Sequence, residues 1–94
     1  MARPVNHLEA IDAIRERQPF ISGGRRGSGK HSFWAQGDAD WYAVYSYNEP
    51  IAWCERGVWR LNPARYSVTT SRHQAYVRRA VAFQTVAEGW TYPH

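Results

Sequence analysis

The sequence predicts a small α+β domain: an N-terminal helix, a four-stranded antiparallel meander, and a C-terminal helix packed on the sheet. Three observations lead there. Residues 33–61 are aromatic and β-branched, with turn signals every few residues. Two stretches of helical periodicity flank that block, each opened by a capping pattern. The chain has 94 residues, the size of one domain, so all elements share one core. A domain this small buries only about 60–65% of its unfolded surface. Its core must lean on large side chains, and the chain has five Trp, six Tyr and three Phe.

The first helix is expected over 5–18. Asn6 can cap it, with Glu9 three residues on as in a capping box. Val5, Leu8, Ile11 and Ile14 form one apolar stripe, and Pro19 ends the element. Residues 22–32 then read as a flexible Gly-rich basic connector, with Arg25, Arg26 and Lys30 among its glycines.

The meander places strands near 33–36, 41–47, 51–54 and 58–61. Gly37 to Asp40, Asn48 to Pro50, and Glu55 to Gly57 supply the turns. Read as a three-residue loop, Glu55-Arg56-Gly57 sets Cys54 opposite Val58, Trp53 opposite Trp59 and Ile51 opposite Leu61. Cross-strand neighbours share a face. Ile51, Trp53, Trp59 and Leu61 then form the core face, joined by Val44 if Asn48-Glu49 is a two-residue loop. Trp41, Tyr45, Tyr47, Cys54 and Arg60 take the other face. A one-residue slip exchanges such faces. The last helix is expected over 71–86, capped by Ser71 with Gln74 and stopped by Gly89. Tyr76, Val77, Ala80 and Phe83 form its apolar face, along with His73 and Gln84.

The net charge of +4 is segregated. Residues 31–55 hold four acids and no Lys or Arg, whereas residues 56–87 hold six arginines and no acid. Such a pattern either presents a basic surface to a polyanion or folds into internal ion pairs. The chain has no run of about 18 apolar residues and no signal-like N-terminus, so a cytoplasmic protein without membrane contact is expected. A single cysteine, Cys54, excludes a disulfide within the chain.

Gly24-Arg25-Arg26-Gly27-Ser28-Gly29-Lys30 matches a phosphate-binding P-loop up to its last letter. The context argues against it. A P-loop joins a buried parallel strand to a helix, and a Ser or Thr after the lysine holds Mg²⁺. Here His31 follows, and then a strand pattern. The surviving reading is a basic arm that tracks a phosphate backbone through Arg25, Arg26 and Lys30.

Catalysis has no convincing carrier. Cys54 and His73 have the chemistry of a nucleophile and a base, but their spacing supports no pairing. His7, His31, His73 and His94 show no metal-ligand spacing. No catalytic residue, metal or cofactor is expected. The hydroxyl-rich run before the last helix is more informative. Thr69, Thr70 and Ser71 can form an anion site at a helix start, reinforced by Arg65 and Arg72; plain capping is the simpler account. Arg72 and Arg79 flank the apolar stripe, while Arg78 points away from it. Trp41, Tyr45 and Tyr47 beside Arg60 can stack bases, or form a second half of the core.

Tyr45-Ser46-Tyr47, then Pro50-Ile51-Ala52-Trp53, then Arg65-Tyr66-Ser67-Val68-Thr69-Thr70-Ser71-Arg72-His73-Gln74 and Val77-Arg78-Arg79-Ala80 together resemble a group of small phage proteins of actinobacteria. The resemblance covers residues 41–82. It implies a phage protein acting in a bacterial cytoplasm and carries no site residue over. The function expected is therefore non-enzymatic binding of nucleic acid through Arg25, Arg26, Lys30, Arg65, Arg72 and Arg79. One alternative is a phage protein that binds a host bacterial protein through exposed aromatics. A small ribonuclease-like toxin comes third, for want of an acid–base pair.

Overall fold

The computed structural model describes residues 3–22 and 32–93. The elements are β1 (Arg3–Pro4), α1 (His7–Arg15), β2 (Phe20–Ser22), β3 (Phe33–Gly37), β4 (Trp41–Ser46), β5 (Glu49–Glu55), β6 (Val58–Leu61), α2 (Val68–Ala80) and β7 (Thr85–Val86). The seven strands form one sheet in chain order. β2 to β6 are antiparallel, while β1 and β7 are two-residue parallel additions at the edges. Both helices cover one face. The α+β class and the helix–meander–helix order stand; β1, β2 and β7 are additions that no period-2 pattern announced, because each is only two or three residues long.

α1 starts where its capping box lies. Asn6 Oδ1 accepts from the Glu9 amide at 2.8 Å, and Glu9 Oε1 accepts from the Asn6 amide. The helix ends early, at Arg15 instead of 18. Arg17 turns to φ +53°, and the Gln18 amide closes the end on the Ala13 carbonyl at 2.8 Å. The buried stripe is Ala10, Ile11, Ala13 and Ile14. Leu8, expected to be part of it, is exposed, and Val5 packs from outside the helix, its amide bonded to the Ile21 carbonyl.

The β3–β4 turn is built by Asp38, whose carboxylate accepts from the amides of Asp40 and Trp41. Gly37 has φ +117°, and a Cβ there would lie 2.1 Å from the Trp41 carbonyl oxygen. The β5–β6 turn has two residues, Arg56 at φ +53° and Gly57 at φ +83°, the paired positive angles of a tight hairpin. This overturns the three-residue reading and moves the register by one. Glu55 pairs with Val58, Cys54 with Trp59, Trp53 with Arg60, and Ala52 with Leu61. Trp53 and Trp59 therefore lie on opposite faces, and Cys54 joins the core. A bulge at Val44/Tyr45 restores Ile51 to the buried set. The β4–β5 turn is Tyr47-Asn48, since Ser46 pairs with Glu49, and Val44 is fully buried.

The helix-side core holds Phe20, Phe33, Tyr42, Val44, Cys54 and Trp59 against Ile14, Val77, Ala80 and Val81. Trp59 is wholly buried; its indole N–H donates to Gln84 Oε1 at 2.9 Å, and Tyr42 meets its ring edge-on. Tyr42 donates its hydroxyl to the Gln18 carbonyl at 2.7 Å, tying the end of α1 to the sheet. Burial raises the Tyr42 pKa, so it stays a donor.

α2 also departs from expectation. It runs from Val68 to Ala80, not 71–86, and Ser67 is its cap, accepting from the Thr70 amide. Ser71 lies inside the helix, and the Gln74 side chain is turned to the loop before it. Phe83, expected on the apolar face, is past the helix end at φ +71° and fully exposed.

Candidate nucleic-acid interface

α2 reads Val68-Thr-Thr-Ser-Arg-His-Gln-Ala-Tyr-Val-Arg-Arg-Ala80 and has no acid. Its buried stripe is Thr70, His73, Gln74, Val77 and Ala80. The polar members of that stripe are satisfied. Ser46 Oγ, fully buried on β4, bonds Thr70 Oγ1 at 2.9 Å and His73 Nδ1 at 2.7 Å. The His73 ring stacks on Phe33 at 4.5 Å, with planes 2° apart. Burial, and secondarily His7, lowers its pKa to about 4, so the imidazole is neutral near pH 7. His73 is thus a packed, hydrogen-bonded core residue, with Nδ1 engaged by Ser46 and not by Cys54. The Cys54 thiol is buried, which raises its pKa.

Burying that stripe turns Ser71, Arg72, Arg78 and Arg79 to solvent. Arg72 and Arg79, seven residues apart, share one column of the exposed face. Ser71 and Arg78 share the next, with Gln74 between them on its buried side. Arg65, in the loop before α2, is also exposed. The triad Thr69, Thr70 and Ser71 does not converge: Thr70 is turned inward to Ser46, while Thr69 and Ser71 face water. Ser71 instead lines a cleft of about 280 Å³ with Arg65 and Arg78. In the sequence Arg78 lies away from the apolar stripe; its spacing of seven from Ser71 and four from Gln74 is the signal that sets it on their flank. Arg25, Arg26 and Lys30 lie outside the described residues.

Among the described residues the only ion pair is Arg15–Asp12, 3.5 Å apart and exposed within α1. The internal pairing that could have absorbed the acidic and basic segments is absent there. Nor do the six arginines of residues 56–87 form one surface. Arg60 lies on the opposite sheet face, its guanidinium 5.3 Å from the Trp53 ring centroid. On that face Trp34 and Tyr45 stack at 4.1 Å, with Trp41, Ala43 and Trp53 alongside. The chain after β7 crosses it: Trp90 and Tyr92 pack there, Trp53 Nε1 donates to the Thr91 carbonyl at 2.8 Å, and the Tyr45 and Tyr92 hydroxyls are bonded. Of the two readings open for this aromatic face, stacking platform or second half of the core, the structure shows largely the second. Tyr45 is buried, and of the three residues named for it only Tyr47 is exposed.

A small α+β protein with an acid-free arginine helix on one side and an aromatic face under its C-terminal segment on the other is the class these features define. The chain belongs to a family of unknown function, DUF8033, which it matches over residues 16–90, a wider span than the resemblance read from residues 41–82. No curated protein and no solved structure matches it. No helix among the described residues is long and apolar enough to cross a membrane, and no group of three or more His, Cys, Asp or Glu among them could hold a metal ion.

Proposed function

We propose that this protein binds nucleic acid without catalysis, through the phosphate backbone, as a phage accessory protein acting in the cytoplasm of an infected bacterium. The observation that supports this most is α2: arginines at 72, 78 and 79 on its solvent side, Arg65 just before it, no acid within it, and no ion pair for any of the four among the described residues. Unpaired guanidiniums on a rigid helix match phosphate geometry and release condensed counterions on contact. Arg25, Arg26 and Lys30 would extend the contact as a basic arm. The phage setting comes from the resemblance alone. The test is a salt titration of fluorescence anisotropy with labelled duplex and single strands. Binding should weaken by about 0.7–0.9 in log K per log unit of salt for each phosphate contacted. No binding to either at low salt would sink this reading.

A second reading, binding of a host protein, is favoured by Phe83. A bulky aromatic that is both fully exposed and at φ +71° gains nothing from packing or propensity. Aromatics of this kind anchor protein interfaces. Loss of a host partner on Phe83→Ser, with nucleic-acid binding unaffected, would favour it.

A further inference from the structure

The loop before α2 is held more firmly than its composition suggests. Asn62 is buried and bonded at both ends of its amide: Nδ2 donates to the Pro50 carbonyl at 2.9 Å and to the Tyr66 hydroxyl at 3.0 Å, and Oδ1 accepts from the Ala64 amide at 2.9 Å. Gln74 reaches out of α2 and donates Nε2 to the carbonyls of Asn62 and Ala64, at 2.9 and 3.0 Å. Residues 62–64 are thus clamped to β5 on one side and to α2 on the other. Arg65 follows immediately. The clamp holds its backbone across a cleft from Ser71 and Arg78, which stand on the α2 flank two helical turns apart.

The cleft has two guanidiniums and no carboxylate in its lining. Neither arginine has an ion pair among the described residues, and the Ser71 hydroxyl faces solvent. Two like charges bordering one cleft repel, and an anion between them relieves that repulsion. The donors present, two planar forks and one hydroxyl, outnumber the two oxygens of a single carboxylate and match the three or four oxygens of a phosphate.

We propose that this cleft seats one phosphate group, with Arg65 and Arg78 supplying charge-assisted hydrogen bonds and Ser71 a further donor. For a backbone phosphate the seat rests on the nucleic-acid reading, and it would fix the register of the strand; for a free phosphate monoester it stands alone.

The test uses the full chain and inorganic phosphate, compared with chloride at equal ionic strength. Phosphate stabilises proteins non-specifically as well, so the readout is the difference between variants. Wild type and the Arg72→Gln/Arg79→Gln double variant should show the same extra rise in thermal midpoint. Arg65→Gln and Arg78→Gln should each lose it, with about a tenfold drop in phosphate affinity. Amide NMR shifts on adding phosphate should centre on residues 64–65 and 71–78. An equal phosphate effect in all variants, or none in any, overturns the seat whatever the outcome with nucleic acid. A labelled oligonucleotide separates the sources. If Arg78→Gln weakens it more than either Arg72→Gln or Arg79→Gln alone, the phosphate belongs to a backbone. If phosphate binding depends on Arg78 but no nucleic acid binds, the seat stands for a small phosphorylated molecule and the polymer reading falls.

Discussion

His73 is packed against Phe33 and the Ser46 hydroxyl, and its burial there, with His7 as a second cause, disfavours the charged imidazole. Its folded pKa, about 4, lies below the unfolded value of 6.5. The unfolded chain therefore binds the extra proton first as pH falls. The stability this residue contributes is full above about 6.5 and is lost as pH drops toward 4, by up to about 3 kcal/mol. Urea midpoints measured from pH 7 to 4 should fall across that window, and His73→Phe should flatten the fall; an unchanged midpoint would refute the assignment. The two central tryptophans should also separate. Trp59 is wholly buried among both helices and the sheet, and Trp59→Ala should cost about 3–5 kcal/mol, enough to unfold a domain this small. Trp53 faces the C-terminal segment across the sheet, so Trp53→Ala should cost less and leave a folded chain whose last residues exchange amide protons faster. Equal loss from both would contradict the face assignment.

Among the elements, the hairpins depend on positive backbone angles at a few turn residues. Gly37→Ala drives a methyl carbon into the Trp41 carbonyl at a φ that alanine disfavours. The expected cost is about 2 kcal/mol or more, read as a shift in thermal midpoint. The β5–β6 turn offers the opposite change. Arg56 sits at φ +53° before Gly57, a position where asparagine is the preferred residue. Arg56→Asn should stabilise by about 0.5 kcal/mol, since the one backbone bond of residue 56 to Asp40 is kept. A loss of stability would mean the arginine side chain is doing something in the fold that its exposure hides.

Across the whole molecule, the arginines of α2 and Arg60 point to different sides, so replacing them should have separable effects. Arg72→Gln with Arg79→Gln should reduce the salt slope of nucleic-acid binding by about 1.5, weaken all sequences alike, and change stability little, because both side chains are exposed. Arg60→Gln should leave the slope unchanged and loosen the Trp53 face instead. A slope that responds to Arg60 and not to the α2 pair would move the interface to the aromatic side.

Local chemistry determined much of this protein from sequence alone. The capping box at Asn6 and Glu9, the turn-forming Asp38, the β-rich block and the flanking helices depend on residues within a few positions of one another, and such signals are written in order along the chain. The candidate site was legible in part: Arg65, Arg72 and Arg79 could be named, but Arg78 and its cleft with Ser71 could not. That cleft exists because Gln74 bonds a loop 10 to 12 residues behind it, whereas the sequence offered Gln74 a local capping role. The sheet faces were likewise beyond local reach. A turn of two residues or three satisfies Arg56-Gly57 almost equally, and that single residue decides whether Trp53 or Cys54 is buried beneath the helices. Trp59 takes the core face in either register; what selects between them is the packing of Cys54 with Tyr42, Trp59 and Val77 on one face and of Trp53 with Tyr45, Trp90 and Tyr92 on the other, because the competing registers differ in long-range contacts and hardly at all in local ones.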